Sequence, residues 1–341
     1  MFFTQNPYLK ALYAVYKTPQ VLAVPSEKWR LHDQGADVPL STYEKWMHHK
    51  YLHTFQVLRE GAVLINKEPL LQTAPRSVQK QWMDALLLHD YGRAFEVSPQ
   101  KETYAFSFCH GITGAQKALE LGETSLNVLV PILVHDQMDN AFVEASDEQL
   151  EQIEKFRCQP PEKKQAVYII RKAYRATSAA DKKWIRYGIG LVRDADTLSN
   201  LREYRRMLRF LEKEPVAEIS PRVKEEILSD DYVKVEYVKT WPDKCCMYLS
   251  WAYHFNFPAT FHEVLQAQIL EHFCEDVYGK IETANTPAQM ERLRREIDSI
   301  LNHIRAFDAS KRFMVPVLPE NQPTTSSVRT YLQSYLFQNK V

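Results

Sequence analysis

Glycine is scarce in this chain, at 9 of 341 residues. A turn-rich β architecture needs many more positions able to adopt positive φ, so the scarcity favours helices. Neither sign of charge is in excess, with 43 Lys and Arg against 43 Asp and Glu. No overall field attracts a polyanion, which argues against a nucleic-acid duplex or a membrane surface as partner and leaves only a local basic pocket open. Cysteine is sparse as well. Cys109, Cys158, Cys245, Cys246 and Cys274 form an odd set without CxxC spacing. Neither a disulfide framework nor a zinc ribbon is supported, and reduced thiols are expected. No apolar run approaches the roughly 20 residues of a membrane span. The first residues, Met-Phe-Phe-Thr-Gln-Asn-Pro-Tyr, lack the basic region and apolar stretch of a signal peptide. The expectation is a soluble, cytoplasmic protein. Fixed-period repeats are missing too, while hydrophobic residues make up 45% of the chain, enough for a sizeable core.

What is present is helical periodicity. Apolar spacing predicts helices over Pro7–Lys17, from Ser41 to Ile65, from Ser77 to Asp90, from His110 onward and over Asn127–His135. Further helices are predicted over Asp147–Phe156, Lys163–Tyr174, Asp181–Phe210, Lys244–Tyr253, Thr260–Ile281 and Thr286–Ala306. Between the first two, Pro19, Pro25, Gly35 and Pro39 mark a connector with turns. Ser41 and Glu44 have capping-box spacing, and Gly92 is placed to stop the Ser77–Asp90 helix. Lys101–Cys109 reads as irregular. Phe313–Pro323 reads as extended, and Val328–Phe337 as a short amphipathic helix lying on the body or on a neighbouring subunit of a homo-oligomer. Trp46, Trp82, Trp184 and Trp251 fall at core spacings rather than as base-stacking platforms, and Cys245–Cys246 reads as core packing.

One stretch stands out against this background: Asp-Ala-Leu-Leu-Leu-His-Asp-Tyr-Gly-Arg, residues 84–93. Two metal-ligand types, His89 and Asp90, sit together at the end of a leucine helix, with Arg93 just beyond. Other candidates lie on separate predicted helices. His53 shares an inward stripe with Trp46, Lys50, Val57 and Leu64. His110 begins a helix with Gly114 and Ala118 at four-residue steps, and His135 ends an apolar helix. Asp196 shares a row with Gly188, Val192 and Asn200. Taken singly, each is more simply a core histidine or a capping aspartate; together they form a donor set.

In that order the motifs resemble the HD superfamily, whose best-known members are metal-dependent phosphohydrolases. The resemblance covers roughly Tyr43 to Leu201. His53 with Val57 and Ala62 resembles the first ligand helix, Leu-Leu-Leu-His-Asp-Tyr-Gly-Arg the signature doublet, His110-Gly with Gly114-Ala115 the third motif, and Val-Arg-Asp-Ala-Asp-Thr-Leu-Ser-Asn the final aspartate motif. An all-α fold is implied, with an HD-domain helical core and additional C-terminal helices. The implied organisation is an N-terminal helix and connector (1–40), a metal-binding helical domain (41–212), a helical extension packed on it (213–310) and a proline-containing tail with a short helix (311–341).

The resemblance implies one divalent ion on His53, His89, Asp90 and Asp196, and a second on a bridging Asp90 with His110 and His135. Imidazole and carboxylate donors suit Mn, Fe, Co, Ni or Zn. Two such ions lower the pKa of a water and clamp a phosphoryl group. Asp90 and Arg93 are the catalytic candidates, Arg93 because its planar fork can hold two phosphate oxygens. Asn200 and Lys183 are further substrate candidates, the first also readable as a cap. Arg193, Arg202, Arg205 and Lys183 lie on a helix whose basic face reads more simply as solvated. Asp136 and Asp139 are either partners orienting ring nitrogens or solvated residues, and His254 is either a substrate contact or a packed histidine. The expected substrate is a nucleotide or other small phosphorylated molecule. His135 is followed by Asp136 rather than a second histidine, and the Gly-Tyr-Pro signature of cyclic-dinucleotide hydrolases is missing. A diiron oxygenase, or a non-catalytic metal-containing sensor module, stands as the alternative.

Overall fold

The computed structural model describes residues 7–17, 28–31, 36–95, 109–136, 140–207 and 214–307. The fold is all-α. Among the described residues the only ladder is a short antiparallel pair, β1 (Lys28–Leu31) on β2 (Ala36–Pro39), in the segment expected to be a connector with turns. No described helix is long and apolar enough to cross a membrane. Several expectations lie outside the described residues: the turns at Pro19, Pro25 and Gly35, most of Lys101–Cys109, the side chains of Ser41, Glu44, Trp46 and Arg205, Asp139, and the extended and helical segments of 311–341.

The chain divides into two compact units, one reaching Ala195 and one beginning at Asp196. The first is built on α1 (Pro7–Lys17), α2 (Leu40–Lys67), α3 (Arg76–Leu88), α4 (His110–Glu120), α5 (Leu126–Val134), α6 (Pro161–Ala176) and the first part of α7 (Ala179–Met207), with shorter turns between. The segment expected as one helix over Asp147–Phe156 is two short pieces, Asp147–Gln152 and Glu154–Arg157, with Ile153 extended between them. Helix α2 turns Lys50, His53, Val57, Gly61 and Leu64 inward. Gly61 is where α3 crosses it, since a Cβ there would lie 2.3 Å from Leu86 Cδ1. Leu86, Leu87 and Leu88 are buried, each contributing about 1.5–3 kcal/mol by removal from water. Trp82, one turn earlier, donates its indole N–H to the Trp184 carbonyl at 3.1 Å.

Gly92 does not stop α3 as the sequence suggested. The chain continues through His89 and Asp90 into a 3₁₀ turn, Tyr91–Phe95. Glycine is required there for a different reason: a Cβ would stand 2.0 Å from the His110 carbonyl oxygen and 2.7 Å from the Gly114 nitrogen. The turn that carries Asp90 is thereby pressed onto the first turn of α4.

The second unit contains the remainder of α7 and helices α8 (Pro221–Leu228), α9 (Trp241–Ser250), α10 (Pro258–Gln266), α11 (Ile269–Ile281) and α12 (Pro287–Arg305). Its core joins Leu198, Val223, Cys245, Leu249, Phe273, Val277 and Ile297. The helix expected over Thr260–Ile281 is broken in two, because Gln268 takes left-handed φ of 50° and ends the run without glycine or proline. Asp243 fixes the start of α9 by accepting from the backbone of Ser220, Lys239 and Thr240.

Candidate metal centre

Helix ends deliver the histidines. His89 follows the last residue of α3, and its Nδ1 lies 2.8 Å from the Leu86 carbonyl. His135 follows α5 in the same way, with Nδ1 2.8 Å from the Ile132 carbonyl. A carbonyl accepts only, so both rings carry their proton on Nδ1 and turn the lone pair of Nε2 outward, the tautomer a metal ligand needs. His53 comes from the inward stripe of α2, and His110 from the first residue of α4. Their rings adjoin in series: centroids are 5.6 Å apart for His53–His89, 5.4 Å for His89–His135 and 4.8 Å for His135–His110.

Asp90 lies among them. Its Oδ2 is 3.9 Å from His53 Nε2 and 3.8 Å from His89 Nε2, whereas its Oδ1 is 3.4 Å from His110 Nε2 and 3.8 Å from His135 Nε2. Two groups of donors converge closely enough to hold an ion, His53 with His89 and Asp196, and Asp90 with His110 and His135; in each the ligand atoms lie within 4.8 Å of one another. Asp196 is carried by the continuous helix α7, one residue past the first unit. Buried His and Asp groups able to bind metal are thus a feature of this chain.

The donors fit a cation electrostatically. Burial pushes the Asp90 carboxyl upward, but Lys50, His89, His135 and Arg93 hold it well below the usual carboxylate range. Burial, with the Arg93 charge, lowers the His110 imidazole to about 3 against the opposing pull of Asp136 and Asp90. That ring is therefore neutral at pH 7 and able to offer a lone pair. His110 Nε2 and His135 Nε2 stand 3.0 Å apart. With His135 protonated on Nδ1, that gap is favourable only when a proton or a cation lies between the rings.

The sequence marks Lys50 only as part of the inward stripe of α2, yet its Nζ is 3.2 Å from Asp90 Oδ2 and both groups are buried. Arg93 approaches the other oxygen, Nε to Oδ1 at 3.5 Å. Exposure is graded around the cluster. His89 and His135 side chains are 0% and 1% accessible, whereas His110, Lys50 and Arg93 reach 10%, 11% and 17%.

The remaining candidates have other engagements. Asn200 donates to Asp196 Oδ1 at 2.9 Å, so it orients a donor of the first group. Lys183 lies thirteen residues before Asp196 on α7, about 20 Å along the axis, and covers the rings of Trp184 and Tyr187. It is not brought to the cluster. Arg193 donates to the Val134 carbonyl at 2.8 Å and Arg202 pairs with Glu263 at 2.6 Å. His254 lies in the second unit, 4.0 Å from Asp231 and edge-on to Tyr232. A surface groove of 460 Å³ beside α6, lined by Lys164, Tyr168 and Lys172, includes none of the histidines. No protein-family model, curated protein or solved structure matches the chain.

Proposed function

We propose that the chain is a metal-dependent phosphohydrolase of the HD type, acting on a nucleotide or another small phosphorylated molecule through a binuclear His/Asp site. One observation carries the reading: the two oxygens of a single buried carboxylate, Asp90, face different pairs of histidines. That is the arrangement of a bridging ligand. His53, His89 and Asp196 would hold one divalent ion and His110 with His135 the other, with Asp90 shared. Bound there, Mn, Fe, Co, Ni or Zn supplies Lewis acidity toward phosphoryl oxygens and lowers the pKa of a water.

The chain's own residues bind and orient. Lys50 and Arg93 put two cations beside Asp90, one near each oxygen, which suits an anionic substrate. Arg93 is the better phosphate ligand, because its fork can meet two oxygens at once. The buried rings of His89 and His135 close the base and keep bulk water from it. The helical frame and the order His53, His89-Asp90, His110, Asp196 support the family assignment.

The test is to strip the protein, reload it with each of the five metals, and screen phosphomonoesters, phosphodiesters and nucleotides. Phosphate release that depends on metal is expected. Arg93→Ala should keep its ions while kcat/KM falls roughly 10- to 100-fold, the worth of one or two charged hydrogen bonds. A loaded protein inert across the panel would defeat the reading, and a mixed-valent iron signal with oxygen consumption would replace it with a diiron oxygenase.

A further inference from the structure

Asp136, beside His135, has no place in either donor group, yet its surroundings are specific. Its Oδ2 lies 3.4 Å from His110 Nδ1 and 3.5 Å from Cys109 Sγ. The backbone brings it there, because Gly111 lets the first turn of α4 close onto the end of α5. A Cβ on Gly111 would lie 2.7 Å from the Leu133 carbonyl oxygen and 3.0 Å from Asp136 Oδ1. The carboxylate thus sits at the positive end of α4, where negative charge is favoured.

We infer that Asp136 is a positioning residue: it accepts the Nδ1–H of His110 and so directs the Nε2 lone pair toward Asp90 and His135. This rests on the binuclear reading above and assigns the second ion's affinity partly to a residue that never touches it. Without that acceptor, the alternative tautomer of His110 places its proton on Nε2. There it donates to His135 Nε2, 3.0 Å away, and one proton then blocks the ligand atoms of both rings. The His89 side has no such exposure to error, since the Leu86 carbonyl fixes that tautomer from within its own helix.

The experiment titrates the stripped 341-residue chain with Mn or Co alone and counts bound ions. In the wild type two ions are expected. Asp136→Ala should leave one at unchanged affinity and weaken the other about 10- to 100-fold, as loss of a residue orienting a ligand does. Asp136→Asn, which keeps an acceptor oxygen, should restore most of that loss. Two ions bound unchanged in Asp136→Ala, both weakened alike, or no recovery in Asp136→Asn would overturn the inference while leaving the binuclear site standing. A wild type that binds fewer than two ions would overturn the binuclear reading itself, and the inference with it.

Discussion

The chain contains the same local device twice. Leu86-Leu87-Leu88-His89-Asp90 and Ile132-Leu133-Val134-His135-Asp136 each end an apolar helix on a histidine in helical conformation, with Nδ1 2.8 Å from the carbonyl three residues back. The histidines match; the aspartates do not. Asp90 lies among four imidazoles with Lys50 and Arg93 beside it, whereas Asp136 stands behind one imidazole with a thiol beside it. Local sequence therefore sets the ring and its tautomer, because the acceptor is in the same helix. The role of the carboxylate is set by what the tertiary fold brings to it. For Asp90, Gly92 makes the difference by letting its turn press onto His110.

Breaking the comparison at Asp90 should have the largest effect. If the two doublets were equivalent, Asp90→Ala and Asp136→Ala would cost alike. Instead Asp90→Ala should remove both ions and all metal-dependent turnover, since both donor groups lose charge and the second loses one of three ligands. Metal analysis after dialysis checks it, and retention of full metal content would refute the bridging role. A smaller loss is expected at the matching histidine. His135→Ala should reduce the ion count from about two to about one, leaving the group on His53, His89 and Asp196 loaded. Loss of both ions would mean that the two groups do not fill separately.

Much of this site was legible because helical spacing reports which face is buried. The row from Lys50 through His53 and Val57 to Leu64 could be read directly, as could the helices ending at His89 and His135. The partner of Lys50 could not. A lysine on a helix is ordinarily solvated, and only the packing of α3 against α2 shows that this one meets a carboxylate 40 residues away. Its one clue was its place one turn before a buried histidine on the same face. The sequence allows Asn200 to be a substrate contact or a cap, and the fold turns it to Asp196. The β1–β2 pair and the break at Gln268 were illegible for another reason. The first lies among turn residues with little alternation, and the second uses left-handed backbone at a residue type that gives no warning. Lys183 is a candidate by its charge; the fold lays it over Trp184 and Tyr187, about 20 Å along α7 from Asp196.

The smallest effect should come from Lys50, and it distinguishes the two aspartates in another way. Asp90 carries a buried negative charge that Lys50 neutralises at 3.2 Å; Asp136 is more exposed and faces an imidazole and a thiol. Lys50→Met keeps the volume and removes the charge. In stripped protein this leaves Asp90 poorly compensated, at a cost of up to about 3–5 kcal/mol, reduced to the extent that a neighbouring imidazole takes up a proton. In loaded protein the ions supply the missing positive charge, so the cost should be much smaller. By linkage, metal binding should stabilise the variant more than it stabilises the wild type. Thermal melts of both proteins, stripped and loaded, measure the difference directly. If Lys50→Met lowers Tm equally in the two states, Lys50 is a structural partner of Asp90 that does not share its carboxylate with a metal.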